Sequence, residues 1–317
     1  MLRPPMLDVD SVIAASSWLA SLPYPKIDPV AFTIPGIGFG VRWYALAYIA
    51  GLFIGWQLVV RMSREENSPF NEDQAQEFPT WVLFGLMLGG RFGYVFFYKP
   101  GYYLENPGEM LAVWNGGMSF HGGLLGIFLA IVLFCRVRKV PLGAMTDATV
   151  LVAPLGLLFG RLANFINGEL YGRPTEHWIG MVFPDDPLQT PRHPSQLYEA
   201  LLEGLCLFIS LWVLRPFVKD KYRHGFLSGA FLVGYGLFRS TAEIFRQPDA
   251  HLGFIFSNVT MGQILSFPMI LAGIVVMWQV ARLGPPEPPA AKSDESDESK
   301  DDAAADDDKG NEASPEA

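Results

Sequence analysis

Seven stretches of this chain are apolar for long enough to lie in a bilayer, and its charged positions collect mainly between them. They run over residues 44–60, 81–98, 118–135, 144–159, 197–214, 226–245 and 261–280. The first holds seventeen residues without a charge, near the lower limit for crossing a hydrocarbon core of about 30 Å. An odd number of spans predicts termini on opposite sides. A shorter apolar patch at residues 12–22 follows Asp8 and Asp10 instead of the basic lead of a signal peptide. It is expected to be retained and to lie at the membrane interface.

The charges between the spans predict an orientation, because cytoplasmic loops carry the excess of Lys and Arg. Arg61 and Arg64 follow the first span, and Arg136, Arg138 and Lys139 the third. Arg215, Lys219, Lys221 and Arg223 follow the fifth, and Arg282 the seventh. These positions mark one side as cytoplasmic and place the N-terminus outside. The opposite connections carry Lys99 and Arg246, together with Arg161, Arg173 and Arg192 after the fourth span. The segment 161–196 therefore breaks the bias, which favours a functional reason for its arginines.

Composition narrows the class further. Half of the 317 residues are apolar and the mean hydropathy is +0.23, as befits a membrane protein. The net charge of −9 belongs to the end of the chain: residues 284–317 hold 12 Asp+Glu and 3 Lys+Arg, leaving 20 acidic and 20 basic residues before them. That low-complexity acidic tail reads as disordered and without a catalytic role. Cys135 and Cys206 fall within apolar runs and read as buried thiols, not as a disulfide, a metal site or a nucleophile. The glycine pairs match no phosphate-loop fingerprint, and no His/Cys/carboxylate cluster suggests a metal, so neither cofactor nor nucleic acid is called for.

The polar residues that fall inside or beside the spans carry the chemistry. With the orientation above, Tyr44, Arg91, His121, Arg161, Glu199, Arg239 and Glu243 converge on the outer leaflet. Tyr235, Arg239, Glu243 and Arg246 form one helical stripe, which must face protein or water. Each ionisable group in hydrocarbon costs roughly 2.5–3.5 kcal/mol, so several at one depth imply pairing around a cavity. Arg161 and Asn164 share a face if their helix continues, while Gly168 and Gly172 permit a turn and a close approach. That combination suits an anion. The plainer readings are arginines snorkelling to headgroups, a helix-stabilising Arg239–Glu243 pair and a packing histidine at 121. Glu199 reads as support for an arginine, Glu203 lies too deep to assign, and Asp147 reads as structural.

Four motifs carry a family resemblance. Gly160-Arg-Leu-Ala-Asn-Phe-Ile-Asn-Gly-Glu-Leu-Tyr-Gly-Arg173 is similar to the signature of the prolipoprotein diacylglyceryl transferases. Gly116-Gly-Met-Ser-Phe-His-Gly-Gly123, Arg192-His-Pro-Ser-Gln-Leu-Tyr-Glu199 and Phe238-Arg239 through Phe245-Arg-Gln-Pro-Asp249 resemble that family too. The similarity covers roughly residues 23–282. It implies transfer of a diacylglyceryl group from phosphatidylglycerol to a lipobox cysteine in a secreted preprotein, forming a thioether and releasing glycerol phosphate. It also implies phosphate binding by Arg161 and Arg239, with Tyr44, Asn164, Glu169, Gly172, Tyr235 and Glu243 at matching positions of the site. His121 is the candidate base for the substrate thiol, although the field of the two arginines would also favour a thiolate.

The expected fold class is an all-α membrane protein with seven transmembrane helices, a periplasmic N-terminus and a cytoplasmic C-terminus. Its expected parts are an interfacial segment at 1–40, a seven-helix catalytic domain at 41–283 and the acidic cytoplasmic tail at 284–317. The expected place is the bacterial inner membrane, with the site toward the periplasmic leaflet and both substrates entering from the bilayer. The rival reading is a seven-span organic-anion transporter, whose usual mark is a repeated half with broken helices at mid-depth. The sequence has no such repeat.

Overall fold

In the computed structural model, residues 21–248, 255 and 259–285 are described. The acidic tail beyond residue 285 lies outside them, as does most of the apolar patch at 12–22. Among the described residues, seven long helices follow a short hairpin. They are α1 (Trp43–Ser63), α2 (Glu72–Phe97), α3 (Phe120–Arg138), α4 (Leu142–Ile166), α5 (Ser195–Val218), α6 (Phe226–Ala242) and α7 (Met261–Arg282). Six are long and apolar enough to cross a membrane; α6, with 17 residues, is the shortest. Their outer faces carry large apolar side chains such as Ile49, Phe53, Phe84, Leu88, Leu125 and Phe128, all exposed. A contiguous apolar surface of that kind belongs against lipid.

The helices outrun the hydropathy pattern wherever local chemistry extends them. Asn71 caps α2 through a capping box with Gln74, so a polar first turn, Glu72 and Asp73, precedes the apolar run. Thr260 and Gln263 begin α7 in the same way. Helix α4 continues past Phe159 to Ile166 and carries Arg161 and Asn164 on its last turns. The hairpin was not predicted: β1 (Val30–Thr33) pairs antiparallel with β2 (Gly40–Arg42), which runs directly into α1. Gly36 and Gly38 turn its tip with positive φ, and Ile37 and Phe39 stand exposed there.

Two packing devices place the site. Helices α2 and α3 approach through Gly85, Gly89 and Gly93 on one and Gly122 and Gly126 on the other. A Cβ at any of these five would strike backbone across the interface. Asp147, inside α4, caps α6: its carboxylate accepts Gly225 N–H, Ser228 N–H and Ser228 Oγ–H, each at 2.7 Å. Its structural reading is thereby given a physical content.

The larger apolar core lies at one end of the bundle, where α1, α3 and α5 end and α2, α4 and α6 begin. Phe134, Met145, Leu151, Leu207 and Leu211 are fully buried in it. The opposite end, where α4 and α6 end and α5 begins, is closed by the segment 167–194. A second small core of Phe165, Met181 and Phe183 seats Tyr24, whose hydroxyl donates to the Phe165 carbonyl at 2.6 Å. The polar cluster described next lies at this end.

Candidate active site

Three arginines meet on one carboxylate oxygen. Oε2 of Glu199, on the first turn of α5, lies 2.9 Å from Nη2 of Arg161, 2.9 Å from Nη1 of Arg239 and 3.4 Å from Nη1 of Arg246. Arg239 Nη1 also reaches Glu203 Oε1 at 3.3 Å, and its Nη2 donates to Glu243 Oε1. Arg246 Nε lies 3.9 Å from the same Glu243 oxygen. Three guanidinium groups thus face three carboxylates, a formally neutral set. Glu199 and Glu203 are 0 % exposed, while the side chains of Arg161 and Arg239 keep 19 % and 14 %. The carboxylates form the floor and the arginines the open side.

Local structure explains how one helix supplies two of these carboxylates. Residues 200–206 of α5 form a π-helical stretch, a widened turn often found at functional sites. Gly204 within it lets the helix lie on the backbone of Leu158 in α4. Arg239, on α6, spans the two carboxylates and fixes their separation.

The loop after α4 completes the rim. Asn164 Nδ2 and Asn167 Nδ2 both donate to Glu169 Oε1, at 2.9 and 3.1 Å. Gly168 and Leu170 turn the chain with φ of 70° and 59°. The peptide N–H of Gly172 then donates to the His193 carbonyl at 2.8 Å, and Gly172 pairs with Arg246 as an antiparallel bridge. A Cβ at Gly172 would collide with the carbonyl oxygens of Phe245 and His193. Arg173 straps this strand to the end of α6, donating to the Arg246 carbonyl at 2.8 Å and the Glu243 carbonyl at 3.1 Å.

Other predicted residues stand farther from the centre. Tyr44 is exposed on α1, 3.3 Å from the hydroxyl of Tyr48, and within electrostatic reach of Arg161 and Glu169. Tyr235 stacks on Phe231 one turn before Arg239 and feels the charges of Arg239 and Glu203. His121 is exposed on the first turn of α3, its ring edge against Phe120; it makes no hydrogen bond or ion pair among the described residues. The structure brings Arg161, Arg239 and Glu243 together, and among the described residues His121 makes no hydrogen bond or ion pair with them.

Arg91, grouped by sequence with the polar residues that pair around a cavity, is instead spent on backbone. It is 1 % exposed and donates to the carbonyls of Glu109, Met110, Gly116 and Gly117 at 2.5–3.2 Å, with its guanidinium over the Tyr103 ring. Its donors are consumed in holding the α2–α3 connection. Arg192 is likewise occupied, forking onto Asp186 at 2.7 and 2.9 Å. Burial alone would raise the Asp186 carboxyl, but that fork and the amides of Leu188 and Thr190 hold it below the usual carboxylate range. Glu203 was too deep to assign from sequence; its signal was only its place one turn from Glu199.

Comparison with known proteins bears on this arrangement. The family profile described as "Prolipoprotein diacylglyceryl transferase" matches residues 29–279. A protein of Rhodospirillum rubrum named phosphatidylglycerol–prolipoprotein diacylglyceryl transferase is 54 % identical over 272 residues, covering 84 % of this chain and 97 % of its own. Proteins of the same name from Azospirillum brasilense and Paramagnetospirillum magneticum are 50 % and 52 % identical. Each match covers 83 % of this chain and 98 % or 97 % of the relative.

Proposed function

Because the chain belongs to the prolipoprotein diacylglyceryl transferase family, we propose that it moves the diacylglyceryl group of phosphatidylglycerol onto the lipobox cysteine of a preprotein. The thiolate sulfur attacks the glyceryl carbon that bears the phosphate ester. A C–S bond forms as the C–O bond breaks, and the electron pair leaves on glycerol phosphate. The thiol proton passes to a base, for which His121, exposed at the start of α3, is the candidate. The guanidinium groups on the open side favour a nearby thiolate locally, even though the cluster as a whole is formally neutral.

The observation that carries this reading is the meeting of Arg161 and Arg239 on Glu199 at the open side of a buried carboxylate floor. A guanidinium is planar and offers parallel N–H donors, so each arginine can turn a fork onto phosphate while its carboxylate holds it in register. The phosphate gains charge as it leaves, and fixed donors in a water-poor site stabilise that change more than the ground state. Tyr44, Asn164, Glu169, Gly172 and Tyr235 shape the surrounding wall. The absence of a repeated half in the sequence, and the family membership, speak against the transporter.

The same reading places seven spans in the bacterial inner membrane, α6 being the short one, with the N-terminus periplasmic and the C-terminus cytoplasmic. The basic residues at the ends of α1, α3, α5 and α7 support that orientation, and it sets the arginine cluster in the outer leaflet. The domain reading stays as the sequence has it, with an acidic cytoplasmic tail at 284–317. Incubating the purified full chain with phosphatidylglycerol and a lipobox peptide should add one diacylglyceryl mass to the peptide cysteine. An unmodified peptide, with folded protein present, would contradict the reading.

A further inference from the structure

Three buried side-chain oxygens on one side of α5 take no hydrogen bond among the described residues: Gln196 Oε1, Glu199 Oε1 and Glu203 Oε2. All three side chains are 0 % exposed, and their other polar atoms are engaged. Gln196 is fixed by its Nε2, which donates to the Glu169 carbonyl at 2.6 Å. Glu199 and Glu203 are bridged through their partnered oxygens by the same atom, Nη1 of Arg239. A buried acceptor without a donor is destabilising, and more so when it is charged. The cluster thus holds a surplus of acceptors directly behind its arginines.

That surplus bears on which anion the site accepts. Three arginines against three glutamates make no net trap for negative charge, and a phosphate that takes guanidinium N–H groups removes donors from carboxylates already short of them. A ligand that brings charge alone therefore meets repulsion, whereas one that brings hydroxyl donors beside its phosphate compensates the carboxylates it disturbs. We infer that Glu199 Oε1 and Glu203 Oε2 accept hydrogen bonds from the two free hydroxyls of the phosphatidylglycerol headgroup, making this pair the determinant of headgroup choice. The inference rests on the transfer reading above and adds to it the part of the lipid that is recognised. Those hydroxyls sit on the headgroup carbon next to the one that bears the phosphate and on the carbon beyond it, and they gain access to the two buried oxygens as the arginines turn from the carboxylates onto the phosphate.

The test compares two lipids of equal charge and chain. Phosphatidylpropanol has the same three-carbon headgroup skeleton as phosphatidylglycerol without its hydroxyls, and both leave the same thioether on a lipobox peptide. The full-length enzyme should transfer from phosphatidylglycerol about 10- to 100-fold faster, the worth of one strong hydrogen bond to a charged acceptor. In Glu203→Gln the amide keeps an oxygen for Arg239 and turns its NH2 to the place of Oε2, where it cannot accept. The preference should then fall to about threefold or less, as it should in Glu199→Gln, whatever the absolute rate. For variants too slow to assay, product inhibition of the unaltered enzyme serves: glycerol phosphate should inhibit at least about tenfold more strongly than propyl phosphate. Equal use of the two lipids, equal inhibition, or an unchanged preference in both variants would overturn the inference and leave the transfer reading standing. Absence of transfer from either lipid would instead overturn the transfer reading itself.

Discussion

Nη1 of Arg239 lies 2.9 Å from Oε2 of Glu199, an oxygen that holds Arg161 at the same distance. Residues far apart in the chain, from α4, α5 and α6, are thereby locked into one electrostatic unit. Removing the shared carboxylate would leave partly buried arginines without their partner, a change that typically costs several kcal/mol. The clamp and the stability of that end of the bundle are therefore coupled, so the arginines are tested by substitutions that keep their positive charge.

The orientation gives the first prediction. A cysteine introduced at the exposed Asp185, in the segment that closes the cluster end of the bundle, should react with an impermeant thiol reagent on intact spheroplasts. One at Asp302 should react only after the membrane is opened. The native Cys135 and Cys206 set the background. The opposite labelling pattern would invert the topology and put the site on the cytoplasmic side.

Asp147 provides a purely structural contrast. Its three 2.7 Å bonds satisfy the start of α6, so Asp147→Ala should destabilise the protein by about 1–3 kcal/mol. Transfer per folded molecule should stay near normal, because the cap lies at the opposite end of α6 from Arg239. Thermal unfolding in detergent, paired with an activity assay on the soluble fraction, separates the two effects. A fully stable variant with lost activity would contradict this account.

Gly172 is predicted to be intolerant for a steric reason. Gly172→Ala places a methyl against two backbone carbonyls, of Phe245 and His193, neither of which can swing away as a side chain would. It should disrupt the bridge to Arg246 and reduce transfer at least about tenfold, whereas Gly101→Ala and Gly108→Ala, which meet nothing within 4 Å, should be silent. Parallel rates for the three variants decide the matter.

The Asp186–Arg192 fork makes a pH prediction. A carboxyl whose folded pKa is depressed contributes stability that is present above its unfolded value of about 3.9 and lost as pH falls through the folded value. Asp186→Asn should therefore be less stable than the parent near neutrality, and the gap should narrow once pH drops below about 4. Melting curves of both proteins from pH 7 downward would show it. A gap that widens in acid would reverse the sign and refute the assignment.

The helices were legible because lipid demands long apolar runs, and all seven expected stretches became helices. Their ends were less so: Asn71 and Gln74 add a polar turn to α2 that hydropathy cannot register. Arg239 and Glu243 were readable from helical spacing, and Glu199 as an arginine's support; Arg246, expected on the same helical stripe, instead joins the cluster from beyond the end of α6 at Ala242, where it bridges Gly172. What spacing cannot say is which buried arginine keeps donors for a ligand. Arg91 and Arg192 look like Arg161 in sequence, yet their donors go to backbone carbonyls and to Asp186. The hairpin at Val30–Thr33 and Gly40–Arg42 was hidden in a segment too short and apolar to distinguish from an interfacial stretch.

The central claim is that Arg161 and Arg239 hold phosphate as forked donors and do not merely balance Glu199, Glu203 and Glu243. Lysine keeps the charge and loses the fork, so transfer rates of Arg239→Lys and Arg161→Lys on matched amounts of folded enzyme test it most directly. The account predicts a loss of roughly 30- to 1,000-fold in each, corresponding to about 2–4 kcal/mol for one charge-assisted bidentate contact, with no recovery when Glu243→Gln is added to Arg239→Lys. Near-normal transfer in both lysine variants, or clear rescue by the double change, would contradict it and return the arginines to a structural role.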